Sequence, residues 1–334
     1  MNSAEGRDRK VTSFDVARRA GVSRAAVSRT FTPEASVSPE MREKVQKAAK
    51  ELGYRVNYLA RSLTNQRSDL VGVVAAGMDN PFRAQQIDEI ARALLRRNFR
   101  PILLPTDSDR SPTHVIDELL HYSVSGVLVT SDAPPTSLCE ECAAYGVPIV
   151  LINKGDEIPT VDRVISDNEA AGKLAADTLI EAGSKSPAVM GATKVSYTAR
   201  GRVDAFLAAC RAASVEPRIV PIPLNDYDSG FEGAGRLVGS GIDGLFCIND
   251  YTACGVVDRI RTDTVVRLPG RIRIVGHDDI PQARWAAYNL TTIRQPCDVQ
   301  AQKAIDFLTS RMAQADLPAR VEFTPVSLVR RTTA

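Results

Sequence analysis

Histidine, tryptophan and closely spaced cysteines are scarce in this chain of 334 residues, which has three histidines (114, 121, 277), one tryptophan and six scattered cysteines (139, 142, 210, 247, 254, 297). Cysteines so spread in a large chain argue against a disulfide framework and for reduced thiols. The one close pair is "CEEC" at Cys139–Cys142. On a helix both thiols would share a face, but zinc needs further ligands, and neither a second CxxC nor a histidine cluster supplies them. They are read as helix-surface cysteines, and no metal is expected. The opening residues "MNSAEGRDRK" are polar, so a secretory signal is not expected. No stretch reaches the roughly 18 uninterrupted apolar residues of a membrane span. A cytoplasmic, nucleoid-associated location without a membrane partner follows as the expectation. G-x-x-x-x-G-K-[ST], G-x-S-x-G and H-E-x-x-H are missing, and the histidines lie far apart in sequence. "GSGIDG" at 239–244 formally fits the dinucleotide fingerprint but precedes the strand-like "LFCI", whereas that fingerprint follows a strand and opens a helix. No catalytic residue and no cofactor are expected.

What is present is unevenly distributed. Residues 1–66 hold 13 Lys and Arg against 7 Asp and Glu, a charge of +6; the remainder, 29 against 33, carries −4. A basic head on a mildly acidic body suggests a polyanionic partner for the head.

The head reads as three helices. Thr12 and Asp15 form a T-x-x-D start, and the helix through Val16, Ala17 and Ala20 stops at Gly21. Ser23 caps a second helix with Val27 facing inward and Arg24, Ala25, Ser28 and Arg29 outward. Ser38, Pro39 and Gly53 punctuate a third, whose inner face is Met41, Val45, Ala48, Ala49 and Leu52. Helix, glycine turn and helix make a helix-turn-helix arrangement. Small residues beside arginine suit a helix entering a major groove about 12 Å wide, where a guanidinium fork matches guanine O6 and N7. In "NYLARSL" (57–63), Leu59 and Leu63 share a face of any helix formed there, though a linker docking two leucines on the body is the alternative.

"VTSFDVARRAGVSRAAVSRTF" and "VSPEMREKVQKAAKELGYRVNYLARSL" closely resemble the head of the lactose-repressor (LacI/GalR) family of bacterial transcription regulators. The likeness covers residues 11–63 and includes D-V-A, A-G-V-S, V-S-R, E-L-G-Y and L-A-R-S-L. It implies that Arg24, Ala25 and Arg29 read bases and that Thr12, Ser13, Ser23 and Ser28 are DNA contacts, with Ser13 standing where relatives often carry an aliphatic residue. It also implies a hinge helix contributing Asn57, Leu59, Ala60 and Leu63, ordered on DNA in the minor groove, with Leu63 wedged between base steps. The implied partner is a near-palindromic double-stranded operator, bound by a homodimer.

Beyond Asp69, short apolar runs ("LVGVVAAG", "PILLPT", "GVLVTS", "PIVLIN", then "AVMGA", "RIVPIPL", "LFCIND", "IRIVGH") alternate with helical stretches. Such alternation implies parallel sheets flanked by helices, in two consecutive lobes, with ligand at the carboxyl ends of the strands. The resemblance continues through "NPF", "VSGVLV", "ISDN", "ARGRVDAF", "IND", "VGHDD" and "LTTIRQP". The expected fold is therefore an all-α helix-turn-helix head with hinge helix, plus a two-lobed α/β core of the type I periplasmic-binding-protein kind. The expected division is a flexible extension at 1–10, head at 11–56, hinge and linker at 57–68 and core at 69–334. Within the core, lobe one covers about 69–166 and 296–322, and lobe two about 167–295 and 323–334.

A small hydroxylated effector, a sugar or sugar derivative, is expected between the lobes. Candidate contacts are Phe82, Thr130, Asn153 and Lys154 from one lobe, and Asp167, Arg202, Asn249, Asp250 and Asp278 from the other. Carboxylates accept from sugar hydroxyls, while Arg and Asn donate. For each Asp or Asn alone, a cap on the following helix is the competing role. Asn225 stands where many relatives place an aromatic residue. An exported solute receptor would share the body fold but needs a leader, and an α/β enzyme needs a catalytic set. A DNA-binding regulator, a repressor, is the expectation that fits both halves.

Overall fold

Thr12 opens the first helix, α1 (Ser13–Ala20), with a reciprocal capping box: its side chain accepts from the Asp15 backbone while Asp15 reaches back to the Thr12 amide. Gly21 closes the helix in the left-handed region at φ 63°. Ser23 caps α2 (Arg24–Thr30) and Ser38 caps α3 (Pro39–Glu51). Val16, Ala17, Ala20, Val27, Val45, Ala48 and Ala49 bury together, with Met41, Leu52 and Tyr54 packed against them. The computed structural model describes residues 11–31, 35–55, 68–106, 112–130, 136–155, 158, 161–193, 196–262 and 272–334. The chain divides into two units, Met1–Ser68 and Asp69–Ala334.

The second unit contains two six-stranded sheets. Sheet one has the order β11-β5-β4-β3-β1-β2, from β1 (Leu70–Ala75), β2 (Arg100–Pro105), β3 (Gly126–Val129), β4 (Ile149–Ile152), β5 (Asp162–Ser166) and β11 (Val321–Thr324), every pair parallel. Val127, Val129, Ile149 and Leu151 face α5 (Pro112–His121) and α6 (Thr136–Ala144). Leu128, Val150 and Ile152 face α4 (Pro81–Arg96) and α11 (Cys297–Ala313). That period of two, apolar on both sides, is what a doubly covered parallel sheet requires.

Sheet two has the order β12-β10-β9-β8-β6-β7, from β6 (Pro187–Ala192), β7 (Arg218–Ile222), β8 (Gly244–Cys247), β9 (Arg273–Asp278), β10 (Thr291–Arg294) and β12 (Ser327–Val329). Its faces are covered by α7 (Asn168–Glu181) and α8 (Tyr197–Ala212) on one side, and by α9 (Tyr227–Gly233) and α10 (Asp250–Thr262) on the other.

Three details differ from the sequence expectation. β12 runs antiparallel to β10, so sheet two is mixed. β11 and β10 both end on the side where the lobes join, and a strand entering sheet two from there must run back against its neighbour. β11 extends to Thr324 within sheet one, so the expected lobe boundary near residue 322 falls inside a strand. Finally, Cys139 and Cys142 are buried in the core of lobe one rather than lying on the helix surface, because the inner face of α6 turns them onto sheet one. Burial pushes the Cys142 thiol up to about 11, away from reactive thiolate chemistry.

Asp162 ties the returning strand β11 to sheet one. It is fully buried, and Arg311 donates to it through Nε (3.0 Å) and Nη2 (2.8 Å), joined by Arg320 Nη2 (2.7 Å). Burial alone would raise this carboxyl; the two arginines outweigh it and hold it below the usual range. Arg311→Leu removes two hydrogen bonds to the buried carboxylate and leaves Arg320 as its one arginine partner, and should destabilise the body by about 1.5–3 kcal/mol in denaturant unfolding. Lys173→Ala, which breaks the exposed Lys173–Asp177 pair, should change stability by less than about 1 kcal/mol. Comparable small effects for both would contradict this ranking.

Candidate functional site

In the head, Ser23, Arg24, Ala25, Ser28 and Arg29 are all exposed on one side of α2, and Val27 and Thr30 are buried on the other. Arg24 and Arg29 form no ion pair among the described residues. Thr12 is exposed and caps α1, and Ser13 is half-buried. The expected hinge residues Asn57, Leu59, Ala60 and Leu63 lie outside the described residues.

In the body, the carboxyl ends of the strands open on a cavity of about 640 Å³ between the lobes. Lobe one supplies Asp79, Asn80, Phe82 and Arg83 from the β1–α4 turn and start of α4, and Asn153 just after β4. Lobe two supplies Arg202 from α8, Asn225, Asn249 after β8, Tyr251 and Asp278. Gln295 lines the cavity at the crossing after β10. The lobes also meet at Gly155, where a Cβ would stand 2.2 Å from the ring of Tyr197.

Arg202 is delivered by a close helix crossing. A Cβ at Gly172 would lie 2.3 Å from the Arg202 carbonyl oxygen, so the small residues of α7 let α8 approach. The guanidinium is fixed by donation from Nε to Asn168 Oδ1 (3.1 Å) and the Thr198 carbonyl (3.3 Å), and from Nη1 to the Ile248 carbonyl (2.6 Å). Nη1 also faces His277 Nδ1 at 2.8 Å. A guanidinium only donates, so Nδ1 presents its lone pair. His277 is neutral: burial and then Arg202 lower its pKa well below the usual value. Asp278 Oδ1 stands 2.7 Å from the same nitrogen, and that approach is a hydrogen bond when the carboxyl carries the proton. Burial pushes Asp278 up to about 7, against the pull of Arg202, Gln295 and Arg83. We therefore read the His277–Asp278 contact as a neutral hydrogen bond, not an ion pair.

The backbone here is strained. Asn153, Asp278 and Asp279 have φ of 59°, 122° and 57°, positions that side chains other than glycine rarely adopt and that cluster at functional sites.

Of the nine residues expected at the effector site, the cavity brings together Phe82, Asn153, Arg202, Asn249 and Asp278. Thr130, Lys154, Asp167 and Asp250 are not among its lining residues. Thr130 is buried at the end of β3 and donates to the Val74 carbonyl. Asp167 caps α7 by accepting from the Ala170 amide (2.9 Å). Asp250 is fully buried beneath the floor, accepting from Thr292 Oγ1 (2.5 Å) and the Ile280 amide (3.0 Å). Asn249 caps α10 and faces the cavity at once. Asn225 accepts from the Ala192 amide (2.7 Å), which turns its carbonyl oxygen onto the backbone. Sequence reasoning missed Asn168, His277 and Gln295 as organisers, though they lie within "ISDN", "VGHDD" and "LTTIRQP". Among the described residues, no three His, Cys, Asp or Glu converge as metal ligands, and no helix is long and apolar enough to cross a membrane.

Residues 14–57 match the family described as bacterial regulatory proteins, lacI family, and residues 68–328 the periplasmic binding proteins and sugar binding domain of LacI family. The chain belongs to the LacI family. Like other LacI-family members it is a DNA-binding transcriptional regulator with a type I periplasmic-binding-protein-like body. The sucrose operon repressor of Pediococcus pentosaceus is 29% identical over 96% of this chain and 98% of its own. The ribose operon repressor of Escherichia coli K12 is 28% identical over the same shares. Among solved LacI-family structures, the Lac repressor bound to ONPG in the repressed state superposes with a TM-score of 0.82 at 25% identity, covering 98% of this chain and 100% of that one. The CelR–cellobiose complex gives 0.71 at 26% identity, covering 97% and 100%.

Asp250 yields a test of the electrostatics beneath the cavity. Burial, then Asp278, pushes its carboxyl up to about 8, against about 3.9 in an unfolded chain. The folded state holds the proton more tightly, so this stability is complete below about pH 4 and is lost as pH rises toward 8. The thermal midpoint should fall between pH 5 and pH 8, and Asp250→Asn should flatten that slope, leaving the part due to Asp278. A slope identical in parent and variant would contradict the assignment.

Proposed function

We propose that this regulator is a cytoplasmic, non-catalytic repressor, acting as a homodimer whose affinity for a near-palindromic operator is set by a small polyhydroxylated metabolite, a sugar or sugar derivative, held between the two lobes. The observation that carries this is that the Arg202 guanidinium and the Asp278 carboxyl, both facing His277 Nδ1, line the cavity together with Asn153, Asn249 and Gln295. Fixed donors and acceptors in alternation suit hydroxyl groups, each of which donates once and accepts twice. Phe82 offers an apolar surface for the carbon face of a ring. The relatives support the same conclusion: two are named as sucrose and ribose operon repressors, and one solved relative is a complex with cellobiose.

On the DNA side, Arg24, Ala25 and Arg29 would read bases from α2, with Thr12, Ser13, Ser23 and Ser28 on the backbone. Leu63, with Asn57, Leu59 and Ala60, would enter the minor groove. One head covers a half-site, so two-fold symmetry doubles the contacts; one solved relative is a Lac repressor dimer bound to operator.

Selection from random duplexes with the full chain tests this. It should recover two inverted half-sites with a steep salt dependence; enrichment of no sequence would sink the proposal. A thermal-shift panel of sugars and sugar phosphates should raise the melting temperature for at least one member through mass action. Arg29→Ala should weaken binding to the selected duplex by about 1–3 kcal/mol and relax preference at one base pair per half-site. Uniform weakening across all sequences would instead make Arg29 a phosphate contact.

A further inference from the structure

The chain passes between the lobes three times: after Ser166 at the end of β5, at Gln295 after β10, and after Thr324 at the end of β11. Side chains at all three crossings belong to one hydrogen-bonded chain. Gln86 Nε2 donates to Gln300 Oε1 (3.2 Å), and Gln300 Nε2 donates to Ser166 Oγ (2.6 Å) and Thr324 Oγ1 (3.3 Å). Ser166 Oγ donates to Gln295 Oε1 (2.5 Å), and Gln295 Nε2 donates to Asp278 Oδ1 (2.6 Å). Every one of these residues is at most 5% exposed. The series runs from α4 in lobe one, across the crossings, to the cavity floor in lobe two.

Two features set this series apart from ordinary packing. Around Gln86 and Gln300, the seam between α4 and α11 is built of Ile90, Ala93, Leu94, Ala301, Ala304, Ile305 and Leu308, so leucines there would satisfy the packing without any polar group. The series also has a direction. Ser166 has a single hydroxyl proton, directed at Gln295, so it must accept from Gln300, and each amide then presents one end to each neighbour. A buried polar group that loses its partner is costly, so such a chain rearranges as a unit rather than link by link.

We propose that Gln300, with Ser166 and Gln295, is a positioning residue that transmits the state of Asp278 in the cavity to the three lobe crossings, and thereby sets how strongly the cavity governs DNA binding. The proposal rests on the repressor reading above. When Asp278 gains or loses its proton, or turns toward a ligand, the acceptor seen by Gln295 changes. Gln295 then re-pairs with Ser166, Ser166 with Gln300, and Gln300 with the end of β11 and with α4. Lobe rotation requires the crossing strands to twist against one another, and Gln300 touches two of those crossings directly.

The proton itself is the probe. Asp278 faces His277 on its own strand, Arg202 from α8, Arg83 from α4 and, more distantly, Asp250 from α10. With its pKa pushed up to about 7, it changes charge between pH 6 and 8. A one-unit difference in that pKa between the DNA-binding and non-binding lobe arrangements is a tenfold change in affinity. The full chain is titrated with its selected duplex at pH 6 and pH 8. The parent's Kd should change by roughly threefold or more, in keeping with that linkage, and Asp278→Asn should abolish the change. Gln300→Leu should abolish it too while still preferring the selected duplex. Because Gln300→Leu alone strands Gln86, the paired Gln86→Leu/Gln300→Leu variant, apolar at both positions, is measured beside it. Groups that titrate elsewhere in the chain are common to parent and variants. A paired variant that keeps the parental pH profile overturns the proposal, as does a parent whose profile equals that of Asp278→Asn. Failure to recover any preferred duplex sinks the repressor reading and the relay with it; a preferred duplex with an unchanged profile sinks the relay alone.

Discussion

A buried carboxyl held in an unfavourable backbone conformation is the constraint on which the body is organised. Asp278 ends β9 at φ 122°, a value that costs free energy for any side chain bearing a Cβ. It stays there because neighbours from both sides fix it: His277 and Gln295 at Oδ1, and Arg202 facing the same histidine. The next residue, Asp279, is pinned by Arg294 Nε (2.8 Å) and Arg331 Nη2 (2.6 Å). Asp250 then fixes the following turn through the Ile280 amide. Take away any of these partners and the strained turn has a reason to relax, which moves the cavity floor.

This arrangement explains why the ligand site and the lobe crossings are not separate parts. Parallel strands place their carboxyl ends on one edge, and the chain leaves lobe one, leaves lobe two and returns along that same edge. The polar groups that line the cavity therefore lie within hydrogen-bond reach of the segments that cross between the lobes. A ligand bound at these strand ends would meet the crossings directly, so the coupling proposed above requires no long-range pathway.

The head was almost fully legible in the sequence, because its determinants are local. Capping side chains act within three residues, and Gly21 marks its turn by lacking a Cβ. The body's strand and helix alternation was equally readable, since a doubly covered sheet writes itself as short apolar runs. What was not legible depends on long-range geometry. Nothing local distinguishes Asp167, a cap, from Asn168, which holds Arg202 across the α7–α8 crossing. Asp250 opens a helix at a strand end as a ligand residue would, yet its side chain turns down into the fold, under Gly276, where a Cβ would stand 2.0 Å from its Oδ1. The "CEEC" pair shares one helix face as expected, but only the packed sheet decides that the face is inward. Gln86 and Gln300 look like ordinary solvated helix residues until α4 and α11 are brought together.

Cavity and head, as proposed, exchange free energy through the lobe hinge, and linkage makes that exchange directly measurable. A coupling between sites is reciprocal: the factor by which a cavity ligand changes DNA affinity equals the factor by which DNA changes ligand affinity. Calorimetry of a sugar recovered by the thermal-shift panel, titrated into the full chain alone and into its complex with the selected duplex, supplies one factor. Duplex binding with and without that sugar at saturation supplies the other. The account expects two matching factors of about five or more, in the range typical of allosteric coupling. Identical sugar affinity in the free and DNA-bound protein would contradict it.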